Sequence, residues 1–236
     1  MKGTWAIFRK ELRVYFVSPQ AYAFLCAFLF LAGLFFYLGI ALTGEASLRV
    51  MLGNLAISLI FVLPMLTMGQ LADEQRGGTL ELLMTAPLSL SSLILGKWLA
   101  SLALCCVMLA GTLLFPWILG WYGEPDWGVV FTSYVGLFLC CGAFCATGLF
   151  ASSLTDDQVA GGLVGILLLL PFWLMGSAAN LVGERWRTTL EQLALLPRLR
   201  DFNRGIIDTG DLAWFVGFMF VFLFLTFRTL ESRRWR

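Results

Sequence analysis

The sequence predicts an all-α polytopic membrane protein, with six transmembrane helices and an N-terminal amphipathic helix lying in the membrane interface. Two observations carry this. First, of 236 residues 59% are hydrophobic and only 13% charged, where a soluble domain has about 25% charged residues. Second, the charges are bunched. Uncharged runs separate Arg13 from Glu45, Arg49 from Asp73, Lys97 from Glu124, Asp126 from Asp156, Asp157 from Glu184, and Asp211 from Arg228. A spanning helix needs about 20 mostly apolar residues. The first five runs reach that length. The sixth, LAWFVGFMFVFLFLTF, is short, and it spans if Asp211 and Arg228 sit at the two interfaces, with Arg228 extending outward along its aliphatic stem. The expected spans are 21–42, 52–71, 97–119, 129–152, 159–180 and 212–229, in a single membrane domain over 1–236.

The lead MKGTWAIFRKELRVYFVSP comes first. Trp5, Phe8, Leu12 and Phe16 recur along one stripe, while Arg9, Lys10 and Arg13 fan around the other side. Ile7 and Val14 interrupt that polar side. The pattern is that of an interfacial helix, ended at Ser18-Pro19 because helix is disfavoured before proline. It serves equally well as a topology anchor or as an elbow pushing on the first span. The apolar run behind it is too long for a cleavable signal.

Orientation follows from the basic residues. Lys2, Arg9, Lys10 and Arg13 in the lead, and Arg228, Arg233, Arg234 and Arg236 in the tail, put both termini on the cytoplasmic side. Alternation then places 72–97 and 153–158 inside and 43–51, 121–127 and 181–211 outside. Five arginines in the last outer segment run against the rule. That segment carries two stripes, Trp186, Leu190, Leu193 and Leu199, Phe202, Ile206, separated by Pro197. They predict two short amphipathic helices over 184–207, forming a solvated cap or a docking surface for an extracytoplasmic partner at 181–211. DTGD at 208–211 supplies a turn and an N-cap for the last span.

Several activities lack their chemistry here. There is no His, the commonest metal ligand and general base. The apolar runs contain no ionisable side chain, as a proton relay would require. No phosphate-cradling GxxxxGK[ST] occurs, and a net charge of +1 with no basic domain gives nucleic acid no footing. The six cysteines fall inside apolar runs and show neither a disulfide framework nor zinc spacing. No catalytic residue, bound cofactor or metal site is expected. Pro64, Pro116 and Pro171 are expected to kink spans two, three and five, and Gly161 with Gly165 allows close helix packing.

One short charged stretch, 73–89, interrupts the greasy pattern. Asp73, Glu74 and Arg76 form a charged cluster at the end of span two. Gly77 and Gly78 give the backbone freedom to turn sharply, as a hinge. Thr79 is a candidate N-cap, Glu81 suits the first turn of a short helix, and Ala86-Pro87 ends it. Ser91 or Ser92 starts span three, and Lys97 marks its cytoplasmic end. A short helix held between two spans is a lever, and a soluble partner gripping it would move both. An ordinary cytoplasmic loop has the same composition.

The stretch ADEQRGGTLELLMTAPLSLSSLILGK at 72–97 closely resembles the pattern of ABC-2 type permeases: an acidic-Arg-Gly cluster, then T-L-E-L-L-x-T-x-P, then a distal G-K. FRKEL followed by SP resembles the family's connecting helix, and FNRGIIDTGDLAWF at 202–215 resembles the segment before the last span in the GldF-like and NosY-like branch. The resemblance implies the six-span ABC-2, or type V exporter-like, permease fold. It implies a membrane dimer, with an identical or related second protomer, and separate ATP-binding cassette ATPase subunits that bind ATP and Mg. It implies that 79–86 is the coupling helix, with Thr79, Leu80, Glu81, Leu82 and Leu83 touching the ATPase. The expected function is that of an exporter subunit. The alternative is a mechanotransmission or assembly scaffold that acts on an extracytoplasmic partner and moves no cargo. Membrane lipid is the remaining expected partner.

Overall fold

The computed structural model describes residues 2–43, 47–79, 89–123, 125–179 and 184–234. The described residues form eleven α-helices and no strand. They are α1 (Lys2–Val17), α2 (Pro19–Thr43), α3 (Arg49–Thr67), α4 (Gly69–Arg76), α5 (Leu90–Thr112) and α6 (Leu114–Tyr122). Then follow α7 (Trp127–Leu154), α8 (Gln158–Ala178), α9 (Glu184–Leu193), α10 (Leu195–Phe202) and α11 (Thr209–Arg234). Six stretches are long and apolar enough to cross a membrane, with α3–α4 and α5–α6 each counted as a single span. The chain is a multi-pass all-α membrane protein.

The helix α7 is the axle of the bundle, packing against α3, α4, α5, α8, α10 and α11. Its sequence explains this. Cys140, Cys141, Gly142, Ala143, Cys145, Ala146, Thr147 and Gly148 are small and buried. In lipid, burial of apolar surface drives little, because acyl chains are as apolar as Leu; close van der Waals approach decides instead. Any side chain at Gly136 would meet the Phe202 ring at 2.8 Å, and one at Gly142 would meet Met219 at 2.6 Å. Cys105 and Cys145 bring their sulfurs to 3.6 Å as free thiols. In contrast, α2 is apolar all round and largely exposed, with Phe30 and Tyr37 turned outward. Such a helix suits a bilayer.

The prolines act differently from one another. Pro116 removes a donor and crowds the carbonyl four residues back, Thr112, and α5 ends there. Pro171 is carried inside α8, and Pro64 inside α3, without a break at either.

Six crossings bring both termini to one end. There Arg233 pairs with Asp156 at 3.2 Å, and Lys10 of α1 reaches Glu74 of α4. The opposite end holds α9 and α10, and it corrects four expectations. The two helices part at Ala194, with Pro197 inside the first turn of α10, where a missing N–H is harmless. Ile206 follows the helix end and is exposed, off the stripe. The helix α10 is a wedge rather than a solvated cap: Leu195, Leu199 and Phe202 are buried, and Thr132 donates to the Phe202 carbonyl at 2.8 Å. Asp211 does not face the interface either. It is buried against Arg198, whose guanidinium lies 5.0 Å from the centre of the Trp214 ring. In the turn before α11, the Asp208 carboxylate accepts from Gly210 N–H at 3.0 Å.

Candidate functional site

The candidate site is where α1, α4 and α5 meet, at the end of the bundle that holds both termini. It starts from a break in the second span. α3 ends at Thr67, and α4 begins two residues later. A fresh helix start leaves N–H groups unpaired. Here a partner from another helix supplies the acceptor. Ser152 of α7 accepts from Leu71 N–H and Ala72 N–H, both at 3.0 Å, and donates its own proton to the Met68 carbonyl at 2.6 Å. Glycines let the neighbours come this close. A side-chain carbon on Gly148 would collide with Thr67 Oγ1, and one on Gly165 would lie 2.8 Å from Pro64. The Gly161 and Gly165 pair therefore packs α8 against the broken span of its own chain.

α4 then presents Gln70 and Glu74 to α1 and α5. Lys97 of α5 is 1% exposed. Its position in the sequence predicts a cation at the membrane interface; it is instead folded inward. Its ammonium donates to Glu11 Oε1 at 3.1 Å and to the Gln70 carbonyl at 2.8 Å, and it pairs with Glu74 Oε1 at 2.9 Å. Lys10 joins both carboxylates at 3.3 Å. Burial works against the Lys10 ammonium, but Glu11 and Glu74 outweigh it and hold its pKa above the ordinary value. Gln70 donates its amide to Tyr15 and Ser101, each at 2.6 Å. Burial pushes the Tyr15 phenol up, so it stays protonated. Two acceptors in this cluster, Gln70 Oε1 and Glu74 Oε2, are buried with no partner. An unmet buried acceptor costs about 1–3 kcal/mol, and more when it is charged.

The interfacial helix thus has a second face. Ile7 is 6% exposed and sits against Gly96, which has no room for a side chain: its Cβ would lie 2.8 Å from Ile7. Ile7, Glu11 and Tyr15, four apart, form the inward stripe. Ile7, expected to spoil a polar face, is the anchor of that contact. Trp5 and Phe16 point outward, as do Arg9 and Arg13, and Trp5 stacks on Phe8 at 5.1 Å. Leu12 is half-buried.

Of the cluster read from sequence, Glu74 belongs to this network, whereas Asp73 and Arg76 are not buried and form no ion pair among the described residues. Gly77 caps α4 in ordinary helical geometry, its N–H donating to the Asp73 carbonyl at 2.9 Å. Gly78 has φ of +66°, the left-handed region, and donates to Gln75 at 3.1 Å. Together they close the helix as αL glycine caps do. The described contact of Thr79 is also with α4: its hydroxyl donates to the Glu74 carbonyl at 3.3 Å. Leu80, Glu81, Leu82 and Leu83, with the rest of the expected coupling helix to 86, lie outside the described residues. α5 starts with Ser89 as its N-cap, accepting from Ser92 N–H at 3.2 Å, rather than with Ser91 or Ser92.

Sequence reasoning missed Glu11, Tyr15, Gln70, Lys97 and Ser152. One signal was available, since Glu11 is the lone acid in a basic lead.

The family model described as ABC-2 type transporter matches residues 2–184, which takes in α1 to α8 and every residue of this network. The chain belongs to the ABC-2 type transporter family. It is thus the membrane permease component of an ABC transporter, and the matched domain is not a nucleotide-binding one. No curated protein matches this ABC-2 chain in sequence. Within the ABC-2 permease, α1 is tied by charge to the two helices on either side of 80–88.

Proposed function

We propose that this chain is the permease subunit of an ATP-driven exporter, that it pairs with a second protomer in the bacterial inner membrane, and that separate ATP-binding subunits drive it through the cytoplasmic segment near 79–86. One observation carries the reading. The segment hangs between α4 and α5, and Glu74 and Lys97 lock those two helices to each other and to α1. A push on the segment is then delivered to three helices at once, because a charged network this well buried does not shear easily. ATP and Mg belong to the partner subunits, with Thr79, Leu80, Glu81, Leu82 and Leu83 as the contact. The resemblance of 202–215 supports the GldF-like and NosY-like branch. A scaffold that transmits motion to an extracytoplasmic partner would use the same lever and end on α9, where Arg187 and Glu191 are exposed and paired.

Co-expression with a candidate ABC ATPase subunit from the same genome tests this. The tagged chain should capture that ATPase, and Glu81→Arg should weaken the capture. No capture by the wild type in any nucleotide state overturns the reading.

A further inference from the structure

Beside the ionic network lies a cavity of about 210 Å³, bounded by α1, the start of α2, and α3–α4. Lys10, Gln70, Asp73 and Glu74 line it together with Ser18, Gln20 and Gln158, and its apolar lining includes Val14 and Met65, which are 52% and 41% exposed. Two acceptors beside it have no donor. Gln70 is 8% exposed with its Oε1 unpartnered, and the Glu74 Oε2 is buried and unpartnered beside it. Nearby ammonium groups are already engaged on Glu11 Oε1, Glu74 Oε1 and the Gln70 carbonyl. Three carboxylates, Glu11, Asp73 and Glu74, face two ammonium groups, Lys10 and Lys97. Water can fill hydrogen bonds but leaves that charge uncompensated.

We propose that the cavity binds the primary ammonium of an amphipathic ligand, and that the ligand is a phospholipid with an amine head group. The ammonium sits among Gln70 Oε1, Glu74 Oε2 and Asp73. Its phosphate lies beside Lys10, whose side chain is 56% exposed, and the acyl chains leave past Val14 and Met65. A primary ammonium donates hydrogen bonds to carboxylates and amide oxygens; a quaternary choline has no N–H to give, and phosphatidylglycerol has no cation. A soluble amine shares the head-group chemistry but leaves the apolar lining uncovered. The site requires neither an ATPase nor a direction of transport, so it stands or falls apart from the proposed coupling.

Native mass spectrometry of the full-length chain in detergent tests this, titrating phosphatidylethanolamine, phosphatidylcholine and phosphatidylglycerol with identical acyl chains. One phosphatidylethanolamine per chain should be retained with about tenfold preference over the other two, the factor that one charge-assisted hydrogen bond supplies. Glu74→Gln should remove the preference. Because Glu74 also holds Lys97, a second variant, Val14→Trp, crowds the apolar lining from an exposed position outside the network, and it should weaken retention as well. Equal binding of the three lipids, or unchanged retention of phosphatidylethanolamine in Val14→Trp, overturns the proposal. Displacement by millimolar ethanolamine assigns the ammonium site to a soluble amine and overturns the lipid source.

Discussion

Lys97 is buried, and its ammonium is held by the Glu11 and Glu74 carboxylates and the Gln70 carbonyl. Buried ion pairs are weak evidence for net stability, but breaking one leaves an uncompensated charge. Lys97→Met strands the Glu11 and Glu74 carboxylates against Lys10 alone. It should destabilise the detergent-solubilised chain by about 3–5 kcal/mol, seen as a lower midpoint in denaturant, and Lys97→Arg should recover part of the loss. An unchanged midpoint for Lys97→Met would mean the network does not hold α1, α4 and α5 together. The adjacent glycines divide in the same way. Gly78 at φ +66° suits no L side chain, whereas Gly77 is in helical geometry. Gly78→Ala should cost about 1–2 kcal/mol. Gly77→Ala should be milder, with only the Asp73 carbonyl 3.2 Å from the new carbon. Limited proteolysis at the 77–89 connection reads both, and equal sensitivity in the two variants would remove the distinction.

At the scale of the element, α4 is an eight-residue helix whose start is capped from another span. Ser152→Ala leaves two buried N–H groups and the Met68 carbonyl without that hydroxyl. The expected penalty is about 2–4 kcal/mol from the unmet groups, and hydrogen exchange at Leu71 and Ala72 should speed up while α7 stays protected. Unaltered exchange there would show that α4 starts without Ser152. This element also marks the limit of what the sequence tells. The six spans are legible because the bilayer imposes a local requirement, a run of apolar residues of fixed length. The pattern at 72–97 is legible for the same reason: its residues are neighbours in the chain. The break at Met68 depends on a serine 81 residues from Leu71, and the burial of Lys97 depends on Glu11, 86 residues away. No local pattern encodes either. Periodicity reveals the outward stripe of α1 and hides the inward one, because Glu11 counts as polar until Lys97 is placed beside it. Pro197 reads as a divider in the sequence because a proline ends one helix or sits in the first turn of the next with equal ease.

At the scale of the molecule, six crossings put Lys2, the 77–89 connection, the 155–157 turn and Arg233 at one end, and α9 with α10 at the other. Which end faces the cytoplasm rests on charge. The end with the termini carries the basic lead and tail, against the five arginines between 185 and 204. Ten Lys and Arg at the end with the termini against six at the other are the charge argument for a cytoplasmic lead. Arg9 and Arg13 are exposed with no carboxylate within ion-pair distance among the described residues. A membrane-impermeant maleimide tests the orientation, using Thr79→Cys and Arg187→Cys in intact cells and in inverted vesicles. The native thiols do not interfere: Cys105, Cys140, Cys141 and Cys145 are buried, and Cys26 and Cys106 lie inside apolar spans. The thiol introduced at position 79 should react only in inverted vesicles, and the one at position 187 only in intact cells. The reverse pattern would put the 77–89 connection outside, beyond the reach of any cytoplasmic ATPase, and the proposed coupling would fail with it.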